Sequence, residues 1–184
     1  MRKVIVFMLT TLDGYYAGPN DEIDWHLVDD EFNAFAIRQL DSVDVLLFGR
    51  RTYEGMVSYW PTAAAATENP EITAKMNAKP KIVFSRTLGS ADWQNTRLIK
   101  EDIAAEIAEL KQQPGQDLII FGSSNLSASF INLGLIDEFR IMVSPVVLGR
   151  GKPLFGGIEN TLELKLLKTE PFSSGNVLHY YEPA

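Results

Sequence analysis

Short apolar runs alternate with amphipathic segments along most of this chain. Each run is four to six residues long and stops at a glycine, serine, threonine or similar breaker, which favours strands over helices. Near-continuous apolar runs of this length are typical of strands buried on both faces of a parallel sheet. The strands predicted in this way are 4–9, 43–48, 81–84 and 118–121.

Apolar residues recur at intervals of three or four positions between these runs. Ile103, Ile107 and Leu110 do so within 101–112, and Pro114-Gly115 ends that predicted helix. An earlier predicted helix runs to about Leu40 and is capped by Asp29 or Asp30. The remaining predicted helices follow Thr52 and span about 126–134.

The rest of the chain completes a mixed pattern. Residues 162–168 and 176–181 alternate well enough for a closing antiparallel pair, and 139–144 is a strand by composition. The segment 61–80 is rich in Ala, Thr and Pro and is predicted as surface loop, with one or two helical turns near 72–76. Strands that alternate with helices and end in an antiparallel pair predict an α/β fold with a mostly parallel sheet and an antiparallel edge. Brief further strands are predicted at 15–17 and 96–99.

Composition narrows the class of protein. The 184 residues are expected to form a single domain over 1–184, with 46% apolar residues available for its core. The net charge of −7 argues against general binding to nucleic acid or to an anionic membrane. Without cysteine the chain has no disulfides, which is an argument for a cytoplasmic location. The apolar N-terminal run is too short to span a membrane.

Three predicted strands end in small or basic residues, namely Gly49-Arg50, Ser85-Arg86 and Gly122-Ser123. Ligands of open α/β sheets lie beyond the carboxyl ends of the strands, so these ends could converge on one anionic ligand. A helix that starts after Gly49 would add free N–H groups and the positive end of its dipole. The simpler alternative is a helix start with exposed arginines.

Several kinds of chemistry are excluded. Zinc sites and zinc-dependent deamination require ligands that a chain with two histidines and no cysteine lacks, so no metal site is expected. No G-x-S-x-G elbow is present. The segment 149–152 lacks the earlier glycine of a P-loop, and Pro153 follows its lysine. A catalytic role for His26 is the less favoured interpretation, and His179 in a terminal strand is interpreted as structural.

An ordered set of short motifs covers nearly the whole chain. They are Leu12-Asp13-Gly14, Gly49-Arg50-Arg51-Thr52-Tyr53-Glu54, Ile82-Val83-Phe84-Ser85-Arg86, Gly122-Ser123-Ser124 with Leu126, Gly134-Leu135-Ile136-Asp137-Glu138, and Pro145-Val146-Val147-Leu148-Gly149-Arg150-Gly151 with Pro153-Leu154-Phe155. With these motifs the chain resembles the dihydrofolate reductase-like superfamily. The resemblance is strongest to the reductase domain of the bacterial riboflavin-biosynthesis deaminase/reductase (the RibD C-terminal domain) and its stand-alone relatives. It implies a three-layer fold with flanking helices.

The resemblance also implies NADPH as the cofactor. Ser85 and Arg86 would hold its 2′-phosphate, because a hydroxyl and a guanidinium suit a dianion. One departure is that the family often has a Gly-Gly pair where this chain has Phe121-Gly122. The other residues expected to contact the cofactor are Gly49, Arg50, Arg51 and Thr52 at the pyrophosphate, Gly122, Ser123, Ser124, Asn125 and Leu126 at a second phosphate-binding turn, and Ala17 and Gly18 beside the nicotinamide.

By the same resemblance, Trp25 would lie at the substrate, and Asp30 matches the position of a substrate-binding acid. Asp13 is a second candidate for a polar substrate contact or a proton relay. The alternatives are a helix-capping role for Asp30 and a turn role for Asp13.

The expected function is that of an oxidoreductase that passes hydride from NADPH to a small heterocyclic substrate. It would resemble 5-amino-6-(5-phosphoribosylamino)uracil reductase or dihydrofolate reductase. A non-catalytic nucleotide-binding or regulatory module on the same fold is the alternative, and an oligomerising domain without a ligand is a third possibility. The expected partners are the small-molecule substrate and a second copy of the chain in a homodimer, with no nucleic acid and no membrane.

Overall fold

The computed structural model describes residues 1–122 and 124–184 and has helices on both faces of a central sheet. The strands are β1 (Val4–Thr11), β2 (Tyr15–Ala17), β3 (Val43–Gly49), β4 (Lys81–Phe84), β5 (Thr96–Ile99), β6 (Asp117–Phe121), β7 (Glu138–Ser144), β8 (Lys152–Pro153), β9 (Leu164–Pro171) and β10 (Val177–Pro183). The helices are α1 (Asp30–Asp41), α2 (Arg50–Tyr59), α3 (Ala63–Glu68), α4 (Pro70–Ala78), α5 (Ile103–Gln112) and α6 (Ser124–Asn132).

The main sheet has eight strands in the order β5-β4-β3-β6-β1-β7-β10-β9. The first six of these run parallel, whereas β10 is antiparallel to both β7 and β9. A separate ribbon pairs β2 with β8. The predicted α/β architecture, with a mostly parallel sheet and an antiparallel C-terminal edge, is confirmed.

Alternate residues of the central strands feed two separate apolar clusters. In β1, Val4 and Val6 belong to the cluster under α5 and α6, whereas Ile5 and Phe7 belong to the cluster under α1, α2 and α4. The period of two in strands places successive side chains on opposite faces, so a strand that is apolar throughout buries both of its faces. This explains why the apolar runs of the sequence are continuous rather than alternating. The helices contribute Phe35, Tyr53, Ile72 and Met76 to one cluster and Ile107, Leu110, Leu126 and Phe130 to the other.

Side-chain caps mark the start of some helices. The Asp29 carboxylate accepts a hydrogen bond from the Phe32 N–H at 2.8 Å, so Asp29 is the cap of α1. Asp30 is therefore an exposed residue of the first helical turn and not the cap. Such a cap satisfies one of the N–H groups that the first turn leaves without a partner.

The prediction for 61–80 as mostly loop was wrong. Two helices, α3 and α4, occupy most of this segment. The Thr62 hydroxyl accepts a hydrogen bond from the Ala65 N–H at 3.2 Å and so caps α3, and the following alanines have high helix propensity. Pro70 stands at the first position of α4, where its missing N–H costs nothing and its fixed φ favours a helix.

Candidate nucleotide-binding and active site

The three basic or small strand ends lie side by side. Because β4, β3 and β6 are consecutive neighbours and parallel, Phe84, Gly49 and Phe121 end at the same edge of the sheet. The helices that follow β3 and β6 then leave on opposite faces, since Tyr53 of α2 and Leu126 of α6 belong to different apolar clusters. Such a divergence opens a crevice at the carboxyl edge, which is where open α/β sheets bind ligands.

Helix α2 starts at this edge without a side-chain cap. Gly49 precedes it with extended φ and ψ of −81° and 163°, and no acidic residue stands in the first turn. The free N–H groups of that turn and the helix dipole both favour an anion. Arg50 and Arg51 are exposed beside it and add positive charge. The residues predicted for a pyrophosphate therefore form an uncapped helix start flanked by two arginines, which lie 3.8 Å from the carboxylates of Glu54 and Asp21.

Gly122 approaches this helix start from the other side of the crevice. Its φ of +62° lies in the left-handed region, and a Cβ built there would be 3.5 Å from both Cγ2 and Oγ1 of Thr52. A side chain at this position would meet Thr52 and carry backbone strain as well. Gly122 thus brings its backbone to van der Waals distance of Thr52, and its approach to a cofactor stays a prediction.

The turn after β4 contacts the same helix. The Ser85 Oγ accepts hydrogen bonds from the N–H groups of Thr87 and Leu88 at 3.3 and 3.0 Å, which fixes the shape of the turn. The Arg50 guanidinium donates to the Thr87 hydroxyl at 3.2 Å. Arg86 is exposed and has no ion-pair partner within the described part of the chain. Its guanidinium is therefore available to a ligand.

The residues predicted for the second phosphate-binding turn differ in exposure. Ser123 lies outside the described residues. Ser124 is buried, and its hydroxyl donates to the Leu154 carbonyl at 2.9 Å, which joins the start of α6 to the loop after β8. Asn125 is exposed, whereas the Leu126 side chain is part of the core. The Leu126 side chain therefore faces the core and not the crevice.

Asp13 forms hydrogen bonds that hold the loop between β7 and β8 in place. Its carboxylate accepts hydrogen bonds from the Thr11 hydroxyl at 2.6 Å and from the N–H groups of Leu148 and Gly149 at 3.2 and 2.8 Å. The Thr11 hydroxyl contributes most to lowering the pKa of Asp13, with Gly149 and Leu148 adding to it. This arrangement favours the turn role of Asp13 and leaves its proton-relay role a prediction.

The segment between β2 and α1 is anchored to the rest of the fold where it leaves β2, at Ala17 and Gly18. Ala17 is buried and pairs with Lys152 of β8. A Cβ at Gly18 would displace the Glu22 carboxylate, and the Gly18 N–H donates to the Glu22 carbonyl at 2.8 Å. Asp21 then forms ion pairs with Lys152 and, at 3.8 Å, with Arg51. The hydrogen bond from Lys152 is the main cause that lowers the pKa of Asp21.

The Asp21 bridge was not found from the sequence. It joins the segment to α2 across residues far apart in the chain, and one exposed aspartate among many gives no local signal. The bridge places Arg51, a predicted cofactor residue, against the segment that carries Ala17 and Gly18.

Trp25 and His26 pack against the start of α1. The His26 ring meets the Phe32 ring edge-on, with 4.7 Å between the ring centres, and the ring centres of Trp25 and His26 are 6.3 Å apart. Burial lowers the pKa of His26, and the smaller effect of Asp29 opposes it. Helix α1 runs from the carboxyl edge, after β1, to the amino edge, before β3, so Trp25, His26 and Asp30 all lie at the edge where the crevice opens.

A cavity of about 740 Å³ opens at the opposite, amino edge of the sheet, near Arg2 and Lys79. Its cations are already engaged: Lys81 donates to three carbonyls, and Arg97 pairs with Glu106. Because the predicted ligand residues are absent from its lining, the carboxyl edge remains the candidate site.

Residues 1–122 and 124–184 bring together no group of three or more His, Cys, Asp or Glu side chains able to hold a metal ion. None of the helices in this part of the chain is long and apolar enough to cross a membrane.

The sheet order and the crevice at its carboxyl edge define a dihydrofolate reductase-like α/β protein. Dihydrofolate reductase from Enterococcus faecalis, in complex with NADP(H), superimposes with a TM-score of 0.66 at 16% identity over 98% of this chain and 96% of that one. This likeness concerns the fold alone.

The sequence comparisons define the family. The model for the RibD C-terminal domain matches residues 2–178, and the chain belongs to that family. The uncharacterised protein YyaP of Bacillus subtilis is 38% identical over 182 residues, which cover 98% of this chain and 94% of YyaP. A candidate riboflavin biosynthesis protein from Shewanella sp. PV-4 has a TM-score of 0.76 and 28% identity, with 99% of both chains covered. The resemblance inferred from the motifs is confirmed.

Proposed function

We propose that this protein is an NADPH-dependent reductase of a small heterocyclic substrate. The observation that carries the proposal is the approach of Gly122 to Thr52 beside the uncapped start of α2. A backbone without a side chain opposite free helical N–H groups suits a pyrophosphate. Membership of the RibD C-terminal domain family and the likeness to an NADP(H)-bound reductase support the choice of cofactor.

The residues present fit such a cofactor. Gly49 to Thr52 would hold the pyrophosphate, and Arg86 would pair with the 2′-phosphate beside Ser85. When bound, NADPH supplies the hydride. The chain would position the cofactor and exclude water with the segment that carries Ala17, Gly18 and Trp25. Asp30 is the acid proposed to contact the substrate, because the oxygens of Asp13 already accept three hydrogen bonds.

A titration with NADPH and, separately, with NADH tests the cofactor assignment. Saturable quenching of tryptophan fluorescence is expected, with tighter binding of NADPH. In the Arg86→Ala variant the preference for NADPH should fall by about tenfold, because a charge-assisted pair with the 2′-phosphate is lost. Calorimetry checks the affinities independently of fluorescence.

An Arg97→Ala variant serves as the control, since Arg97 is also an exposed arginine but pairs with Glu106 near the amino edge of the sheet, away from the crevice. An Arg86→Ala variant with unchanged preference would remove the 2′-phosphate assignment. Absence of binding to either cofactor in both measurements would overturn the proposed function.

The second candidate function is a nucleotide-binding module without catalysis. It is favoured by the engagement of Asp13, which leaves one fewer acid for proton transfer. Turnover separates the two functions: oxidation of bound NADPH by a pteridine or aminouracil substrate supports the reductase. Binding without oxidation by any substrate of these classes supports the module.

We also propose that the protein forms a homodimer through the open edge strand β9. Leu166 and Leu167 are 52% and 42% exposed there, and Leu162 just before the strand is 39% exposed. Neighbouring exposed leucines on a sheet edge are a common site of association. Light scattering should give the mass of a dimer for the natural chain and of a monomer for Leu166→Glu. A monomer at all concentrations for the natural chain would contradict the proposal.

A further inference from the structure

Buried polar atoms without a partner concentrate in one region of the molecule. Seven of the nine such side-chain atoms found among the described residues belong to Trp25, His26, Ser144, Ser174 and Asn176. Asn176 is 1% exposed with both amide atoms unpaired, and Ser144 is 0% exposed with its hydroxyl unpaired. Buried polar groups are normally hydrogen-bonded, and each one left unpaired destabilises the fold, so this concentration requires an explanation.

Asn176 and Ser144 lie next to each other on the face of the sheet that α1 covers. Val177 pairs with Val143 in antiparallel register, so the preceding Asn176 stands opposite Ser144. Their side chains alternate in step with Leu178 and Met142, which belong to the apolar cluster under α1. Ser144 also pairs with Thr11 at the end of β1. The two unpaired side chains thus lie at the carboxyl edge, where the crevice opens.

The other unpaired atoms surround the first turns of α1. His26 packs on Phe32, and Phe32 lies 6.2 Å from Phe35. Phe35 in turn meets the ring of Phe172, in the turn that leads to Ser174 and Asn176. That turn is joined to the helix, because the N–H and hydroxyl of Ser173 both donate to Glu31. The region is therefore a polar patch beneath the start of α1, bordered by aromatic rings.

The charged groups that border the patch already have partners, which restricts what the patch can bind. The Glu31 carboxylate is occupied by Ser173, and Arg140, further down the sheet, is engaged by Glu138 and Gln39. Burial favours the neutral form of His26. The amide of Asn176 offers a donor and an acceptor side by side, and the Ser144 hydroxyl can serve as either. A phosphate would find no unpaired cation among the described residues named here, whereas a planar ring with an N–H beside a carbonyl would satisfy these groups.

We propose that Asn176, together with Ser144, reads the substrate of this protein by hydrogen bonding to an uncharged N–H/C=O edge of a flat ring. This inference rests on the proposed reductase function, because it concerns the substrate end of the same crevice. It makes Asn176 the residue that determines specificity. It also assigns the substrate an uncharged end that is held without any cation.

Access to Asn176 requires a local movement, because each unpaired atom exposes less than 1 Å² in the structure. The start of α1 lies over this patch, and the segment 18–28 packs against that start through His26 and Phe32. Most residues of the segment are exposed, and Asp21 links it by ion pairs to Lys152 and Arg51. A ligand therefore reaches Asn176 only after the start of α1 or the adjoining segment moves.

Quinazoline-2,4-dione is a suitable probe, since it is flat, uncharged at neutral pH and carries adjacent N–H and C=O groups. Calorimetry on the protein, with and without NADPH, should show binding of this dione. The 1,3-dimethyl derivative, which has lost both N–H donors, should bind at least about tenfold more weakly. Ribose 5-phosphate should not compete with the dione.

The Asn176→Leu variant should lose at least about tenfold in affinity for the dione and keep its affinity for NADPH. It should also unfold at a higher temperature than the natural chain, because an unpaired buried amide is replaced by an apolar group. Ser144→Ala, a smaller change, should weaken binding of the dione as well. Ser127→Ala is the matched control, since Ser127 has an unpaired buried hydroxyl on α6, in the other layer of helices.

Equal affinity of the natural chain and Asn176→Leu for the dione would overturn the inference, as would the absence of dione binding to the natural chain. A lower unfolding temperature of Asn176→Leu would also contradict it, since that result assigns the amide a structural role. If the dione binds with the expected pattern but NADPH does not bind, the proposed reductase function fails and the recognition by Asn176 stands.

Discussion

A Gly122→Val variant is expected to remain folded and to lose measurable NADPH binding. The change puts a branched side chain between the end of β6 and the start of α2. A Cβ there would already lie in contact with the Thr52 side chain at 3.5 Å, so we expect the two methyl groups of valine to occupy space that the proposed pyrophosphate needs. Loss of that space should weaken NADPH binding by more than about 100-fold, which corresponds to about 3 kcal/mol of binding free energy.

The same change carries a backbone penalty that must be separated from the effect on binding. Gly122 has a φ of +62°, where a branched residue costs about 1–3 kcal/mol. Gly134, after α6, has a φ of +64°, and a Cβ added there would have no neighbouring atom within 4 Å, so Gly134→Val carries a similar strain without filling the crevice. Both variants should lose similar stability in urea, and only Gly122→Val should lose NADPH binding by calorimetry. Equal NADPH affinity in the two variants would place the cofactor elsewhere.

The β3–α2 unit shows what local pattern can predict. An apolar run that ends in glycine before a helix-compatible segment has few alternatives, and the structure has the strand and the helix at these positions. The neighbouring positions of β4, β3 and β6 follow less directly. The sequence predicts that each strand ends in small or basic residues, but only the sheet order makes those ends adjacent.

The closing strands were predictable for a different reason. In β10, the buried Leu178 and Tyr180 alternate with less buried neighbours, as expected of a strand with one face on the core, whereas the edge strand β9 is exposed along most of its length. The α3–α4 segment was not predictable from periodicity, because two short helices with little apolar character give a weak pattern. There a capping threonine and an N-terminal proline carried the information instead.

Roles that depend on contacts between residues far apart in the chain could not be predicted from the sequence. Asp13 has the local context of a turn, and its use by the N–H groups of Leu148 and Gly149 depends on a loop 135 residues later. The unpaired amide of Asn176 could not be predicted either, because the sequence shows neither the burial of a side chain nor the lack of a hydrogen-bond partner. Recognition of the family supplied the cofactor candidates, but it gave no indication of Asp21 or Asn176.

Lys81 is a further residue whose role appears only in the structure, and it carries the second large prediction. It was predicted simply as the first residue of a buried strand. It is 1% exposed, and its ammonium donates to the carbonyls of Met76, Asn77 and Lys79 at 2.9, 3.1 and 2.7 Å. The same nitrogen lies 4.4 Å from the centre of the Trp93 ring. Lys81 therefore closes the C-terminal end of α4, where helical carbonyls otherwise lack partners.

Lys81→Met is expected to lower the free energy of unfolding by about 2 kcal/mol at pH 7, because buried carbonyls lose their donor while the apolar stem is kept. Lys79→Met is the matched control, since Lys79 donates to the single carbonyl of Val43 and should lose less stability. Urea unfolding measures both values. NADPH binding should be unchanged, because Lys81 lies at the amino edge of the sheet. A Lys81→Met variant as stable as the natural chain would contradict the helix-closing role.

The difference between the natural chain and Lys81→Met should also depend on pH. Burial lowers the pKa of Lys81 to about 8 in the folded state, against 10.5 for the unconstrained side chain. Between these values the unfolded chain binds more protons than the folded one, so the natural chain gains stability as pH rises. The gain is about 1.4 kcal/mol per pH unit, and Lys81→Met lacks it. Urea unfolding at pH 7.5, 8.5 and 9.5 should therefore show a widening difference, whereas a constant difference would mean that the three carbonyls and Trp93 hold the proton against the effect of burial.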